Sequence, residues 1–180
     1  MSWVAGGGGG FGRLHRNALG SQSPCVLADS SILILPHPHP PNPTPTASFI
    51  EFNALTGPLP ASWAAMMLLK NFHAASNRLS GSLPPDWGVP GALPELNSLK
   101  LQSNALTGPL PGEWGREGAF TSLNRLHLNE NALTGPLPGS WGGPTALPQL
   151  VMLTLGSNAL TGTLPATWGG GDALPKLVTL

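Results

Sequence analysis

Three side chains close together in the chain, Arg125, His127 and Glu130, have the chemistry of an oxyanion contact, a base and an acid. A catalytic site also needs a sheltered pocket and a placed nucleophile, and no nucleophile elbow accompanies them. Gly6 to Gly10 form an unbroken glycine run, but no Gly-Lys-Ser or Gly-Lys-Thr follows to complete a phosphate loop. His37 and His39 alternate with prolines and offer two metal ligands without a third. No Cys/His cluster has zinc spacing, and Cys25, the only cysteine, allows no intrachain disulfide. The expectation is a chain that is not an enzyme and holds no cofactor and no metal.

What must position these side chains is a repeat. The octapeptide Asn-Ala-Leu-Thr-Gly-Pro-Leu-Pro starts at Asn53, Asn104 and Asn131, with close variants at Asn77 and Asn158. Each asparagine is followed ten residues later by a tryptophan: Trp63, Trp87, Trp114, Trp141 and Trp168. A period this regular marks an array in which each unit buries its apolar face by stacking on the next. Upstream of three asparagines stands a second pattern: Leu96, Leu99 and Leu101 before Asn104, Leu123, Leu126 and Leu128 before Asn131, and Leu150, Leu153 and Leu155 before Asn158. Leu69, Phe72 and Ala74 make a poorer copy before Asn77, and only Ile50 holds its place before Asn53. The leucines three and five before each asparagine alternate with period two, as in a strand with one buried face.

The pattern L-x-x-L-x-L-x-x-N-x-L resembles the leucine-rich repeat. Its continuation N-x-L-[TS]-G-x-L-P resembles the plant-type subclass, as in receptor-kinase ectodomains and polygalacturonase-inhibiting proteins. Two departures stand out. Tryptophan occupies a position where that subclass usually has leucine, and three extra residues precede Ala92, Ala146 and Ala173. The resemblance implies a right-handed α/β-type solenoid, with short parallel strands on a concave face and loops or 3-10 turns on a convex one. The asparagines are expected to turn inward and bond backbone groups at the bend. Leu106, Leu110 and their equivalents are expected in the core. Gly57, Gly81, Gly108, Gly135 and Gly162 suit a positive φ or a close backbone approach. The tryptophans read as a buried column, and the extra residues as room for the indoles.

Residues six, four and two before each asparagine then face away from the core. One row is Asn71, Ser98, Arg125 and Met152; the next is His73, Lys100, His127 and Thr154; the third is Ala75, Gln102, Asn129 and Gly156. These rows vary where the core columns do not. As candidate partner-binding residues they give His73, Lys100, Gln102, Arg125, His127, Asn129 and Thr154, with Glu130 beside them. The competing reading is a solvated sheet face. Lys100, Arg125 and the two histidines make the patch locally positive, which favours an acidic partner segment.

The totals bound the rest. The 180 residues suit one domain, and charged residues are 9% of the chain, against about 25% in ordinary proteins. Net charge is zero, so no global field points to nucleic acid or acidic lipid. No apolar run has the length of a transmembrane segment. Residues 1–45 read as a Gly/Pro-rich, mostly disordered segment, with Ile32 to Leu35 either a strand covering the end of the array or a loosely held stretch. Residues 46–180 read as about five coils, truncated at the C-terminus because Leu180 falls inside a strand. The plant-type resemblance implies the extracellular side or cell surface. The absence of a signal peptide, cap cysteines and a usable sequon points instead to the cytoplasm or cytoskeleton. The functional expectation is a module that binds an unidentified protein or peptide through its concave face. The alternatives are a structural scaffold or a non-functional fragment of a longer receptor-like protein.

Overall fold

A computed structural model describes residues 26–28, 32–34, 47–171 and 173–180. Two short strands, β1 (Val26–Ala28) and β2 (Ile32–Ile34), pair antiparallel. Ile32 to Ile34 therefore form a strand, which lies against the first strand of the sheet described second below. The rest of the expected disordered segment, with Gly6 to Gly10, Cys25, His37 and His39, lies outside the described residues.

From Ala47 onward the chain winds as a solenoid with two parallel sheets. The first sheet contains β3 (Ala47–Phe49), β5 (Asn71–His73), β7 (Ser98–Lys100), β9 (Arg125–His127) and β11 (Met152–Thr154), in that order. These strands begin one residue ahead of the alternating leucines, at the outward residue that precedes Leu99, Leu126 and Leu153. The coil before Asn53 is a full member. Ser48, 4% exposed, stands where later coils have Phe72 and Leu99, and β3 still pairs in register with β5.

A second sheet is present in addition to the expected 3-10 turns, which follow its strands. It is built from β4 (Thr56–Pro58), β6 (Arg78–Ser82), β8 (Ala105–Pro109), β10 (Ala132–Pro136) and β12 (Ala159–Thr161). The octapeptide itself forms these strands. Pro58, Pro109 and Pro136 sit at strand ends, where a missing N–H interrupts little of the ladder. After each of these strands comes a 3-10 turn carrying the tryptophan: 61–65, 85–88, 112–115, 139–142 and 166–169. Among the described residues the helical structure is of this short kind.

Each asparagine ties the first sheet to the second. Asn131 Nδ2 donates to the carbonyls of Leu128 in its own coil (3.1 Å) and Leu101 in the preceding one (3.0 Å). Its Oδ1 accepts from the Leu106 N–H at 3.0 Å, at the start of the preceding coil's second strand. Asn77, Asn104 and Asn158 repeat this arrangement. Buried backbone groups at the bend are thereby satisfied without water.

The tryptophans form the expected column. Trp63, Trp87, Trp114, Trp141 and Trp168 stack with centroids 6.2–6.3 Å apart and planes within 16°. Trp87, Trp114 and Trp141 are buried. Each indole N–H from Trp87 onward donates to a proline carbonyl of the preceding coil, as from Trp114 to Pro84 at 2.9 Å. Phe120, in the extra segment, packs edge-on against Trp114 at 5.2 Å. A glycine after each inner tryptophan lets the coils touch through their backbones. A Cβ on Gly115 would lie 2.5 Å from the Ser140 carbonyl oxygen. Gly108, at φ +77°, occupies a conformation that side chains disfavour.

Two substitutions test this frame by urea denaturation of the whole chain. Trp114→Ala is expected to cost about 3–5 kcal/mol, from lost burial and the cavity it leaves. Asn131→Ala is expected to cost about 3 kcal/mol, because it orphans backbone groups in two coils. A loss below about 1 kcal/mol in either case would remove that column from the stabilising frame.

Candidate functional site

The outward rows anticipated from spacing are brought together by strand register. Asn71 pairs with Ser98, Ser98 with Arg125, and Arg125 with Met152; His73, Lys100, His127 and Thr154 pair likewise. Paired residues on neighbouring strands are about 4.8 Å apart, so Lys100 and His127 are immediate neighbours. Arg125 lies two residues along β9 on the same face, about 7 Å from His127. Neither Lys100 nor Arg125 has an ion-pair partner among the described residues. Their charges therefore remain uncompensated locally on a chain of zero net charge.

Around His127 the hydrogen bonds form one chain. Thr154 Oγ1 donates its only proton to Asn129 Oδ1 at 2.8 Å. The 3.1 Å contact between Thr154 Oγ1 and His127 Nδ1 must then be donated by the histidine. This fixes the neutral tautomer with hydrogen on Nδ1 and leaves Nε2 an open acceptor. Asn129 Nδ2 donates to Glu130 Oε1 at 3.3 Å, and Ser103 Oγ donates to Glu130 Oε2 at 2.6 Å. Glu130 is thus held by polar neighbours and pairs with neither cation. Its backbone is at φ +56°, as are the equivalent residues before the other asparagines. Gln102 lies between the second and fourth coils with a buried Oε1 that has no hydrogen-bond partner. Among the described residues no three His, Cys, Asp or Glu side chains gather closely enough to hold a metal ion.

His73 is anchored differently. Its Nε2 meets the hydroxyl of the buried Ser98 at 2.9 Å, and Phe49 packs edge-on against its ring at 4.8 Å. Burial first, then the charges of Lys100, His127 and Arg125, lowers the His73 pKa from 6.5 to about 4. The His127 pKa is also lowered, by burial first and then by Lys100 and Arg125. The charged neighbours of His127 were legible from spacing, but the larger contribution of burial was not. Spacing also missed Phe49 as part of this face. With Ser48 in the middle of β3, the alternation that marks a strand was lost there.

The chain matches no protein-family model and no curated protein. Solved structures do match. The chain is 33% identical to a TDR receptor with a TM-score of 0.65, over 75% of this chain and 21% of that one. The fold is a leucine-rich-repeat solenoid, and it resembles the plant type. The Arabidopsis receptor kinase HAESA, in complex with the peptide hormone IDA and the co-receptor SERK1, is 36% identical with a TM-score of 0.54. That match covers 68% of this chain and 19% of HAESA. A plant ice-binding protein is 30% identical with a TM-score of 0.61, over 70% of this chain and 38% of that one. The chain spans about a fifth of the length of the receptors it resembles. No helix among the described residues is long and apolar enough to cross a membrane.

The lowered pKa of His73 carries a stability consequence with a definite sign. Its folded value, about 4, is below the unfolded 6.5, so the unfolded chain takes up the proton first as pH falls. The stabilisation from a neutral His73 is complete above pH 6.5 and is lost as pH falls toward 4. His73→Gln keeps a polar partner for Ser98 but does not titrate. Thermal unfolding at pH 7.5 and pH 4.5 is expected to show a smaller drop in Tm for the variant than for the wild type. Equal drops would mean that His73 titrates normally.

Proposed function

We propose that the chain is a non-catalytic module that binds a protein or peptide on the outer face of its first sheet. The observation that carries this reading is the contrast between columns. Core positions repeat from coil to coil, whereas the outward rows present different side chains in fixed register. A face of this kind offers one unique pattern of contacts, which a non-repeating partner can match in one position only. HAESA, a structural neighbour, is solved with a peptide hormone, which supports the class of ligand.

The recognition patch is His73, Lys100, Arg125 and His127, with Gln102, Asn129, Glu130 and Thr154 as polar surroundings. Its uncompensated charge favours an acidic segment, and Nε2 of neutral His127 can accept a hydrogen bond from a backbone N–H of that segment. Charging His127 below its lowered pKa adds a third cation and tightens binding. The test is fluorescence anisotropy with a labelled glutamate-rich peptide at low salt. Replacing both Lys100 and Arg125 by Ala is expected to weaken binding about tenfold or more and to flatten its salt dependence. Unchanged affinity would remove the patch from the binding surface.

A second reading is favoured by the second sheet, which the concave-face reading leaves unused. One neighbour at 30% identity is a plant ice-binding protein. The outer face of the second sheet is uniform and nearly uncharged, as an ice-binding surface has to be to meet a lattice rather than a sequence.

A further inference from the structure

On the outside of the second sheet, β8 and β10 present identical side chains, and β6 and β12 keep the hydroxyl position. In β8 and β10 the leucine points inward, and Ala105, Thr107, Ala132 and Thr134 are exposed. Ser80 in β6 and Thr161 in β12 continue the hydroxyl row. None of the hydroxyls of Ser80, Thr107, Thr134 and Thr161 has a hydrogen-bond partner among the described residues. Arg78 is the only charged residue in the strands of this sheet.

The register makes the row a lattice. Thr107 pairs with Ser82 on one side and Ala132 on the other, and Thr134 pairs with Pro109 and Ala159. Each strand is therefore offset from the last by two residues, so the hydroxyls advance one strand across and two residues along at every step. Strand spacing of about 4.8 Å and a two-residue advance of about 7 Å place successive hydroxyl-bearing residues about 8 Å apart. Threonine is β-branched, so its hydroxyl and methyl are held with little rotamer freedom left to lose. The sheet is fixed from beneath by the tryptophan column and the asparagine bridges.

A surface that repeats this way gives the same contacts after a shift of one coil. A non-repeating protein partner gains nothing from the repetition, whereas a periodic one is met at every step. The partner must also be uncharged and must both donate and accept hydrogen bonds, because each hydroxyl does both. Crystalline polysaccharide would be gripped by exposed aromatic rings, and the tryptophans here face the core. Ordered water meets every requirement: it is periodic and neutral, it hydrogen-bonds in both directions, and it packs against methyl groups.

We infer that the outer face of β6, β8, β10 and β12, with Ser80, Thr107, Thr134 and Thr161 as its hydroxyl row, is a site that adsorbs to ice. This assignment rests on the second reading above and names the surface that would carry it. The probe is ice itself, read as thermal hysteresis and inhibition of recrystallisation by the full chain. The wild type is expected to be active. The double variant T107K/T134K, which puts two charged, flexible side chains on the face, is expected to lose most of that activity. The double variant K70A/E95A, which removes an exposed ion pair outside the strands of this face, is expected to keep it. Near-ultraviolet circular dichroism of the tryptophan column checks that each variant is folded, and T107V/T134V serves as a milder second probe if the lysine variant is not. An inactive wild type overturns the ice-binding reading as a whole. An active wild type with an equally active, folded T107K/T134K overturns this face while leaving the reading intact.

Discussion

The bridge made by the asparagine side chain is the interaction on which the other features depend. A solenoid coil must turn between its two sheets, and at that turn the backbone runs through the interior. A carboxamide has both a donor and an acceptor end, so one side chain can satisfy carbonyls of two coils and an N–H of the earlier one. Asn53 shows what the neighbour contributes. Among the described residues its side chain bonds to Ile50 and Glu51 of its own coil, while Asn77 onward also reach back to the coil before. The polar interior is thus complete only where coils stack, which makes the array cooperative over nearest neighbours.

Stacking also settles conflicts that local preference would decide otherwise. Leu93, Phe120, Leu147 and Leu174 all have φ between 44° and 46°, a region that bulky residues avoid. All four are buried near the tryptophan column, where apolar burial of about 1.5–3 kcal/mol per side chain outweighs a backbone cost of about 1–2 kcal/mol. The proline carbonyls that accept the indole N–H groups belong to the same logic. A proline has no N–H to place, and its fixed φ leads the chain into the 3-10 turn that carries the tryptophan.

The two sheets share one core but present opposite chemistry outside it. The first sheet varies from coil to coil and carries Lys100, Arg125 and both described outward histidines; the second, Arg78 apart, carries small, uncharged residues. The same pleat that sends leucines inward on both sheets sends these two sets outward. A varied face suits a partner with a sequence, and a uniform face suits a partner with a lattice. Nothing in the packing forces the second face to be uniform, because Ser80 and Arg78 show that other residues are accommodated there.

The sequence by itself determined the coil period, the core columns, the inward asparagines, the tryptophan stack and the membership of the outward rows. These follow from period and side-chain alternation, which are local properties repeated many times. Tertiary structure decided what depends on the distance between coils. The octapeptide, with one glycine and two prolines among its eight residues, carries no strand signal of its own and becomes a sheet only when equivalent segments of adjacent coils lie within hydrogen-bonding reach. The strand before Asn53 was illegible because Ser48 broke the alternation, and pairing with β5 restored it. In the candidate site, the rows and the positive charge were legible from spacing. The tautomer of His127, the clasp on Glu130 and the burial of His73 were not, since each is set by side chains 25 or more residues away or by the extent of covering around them.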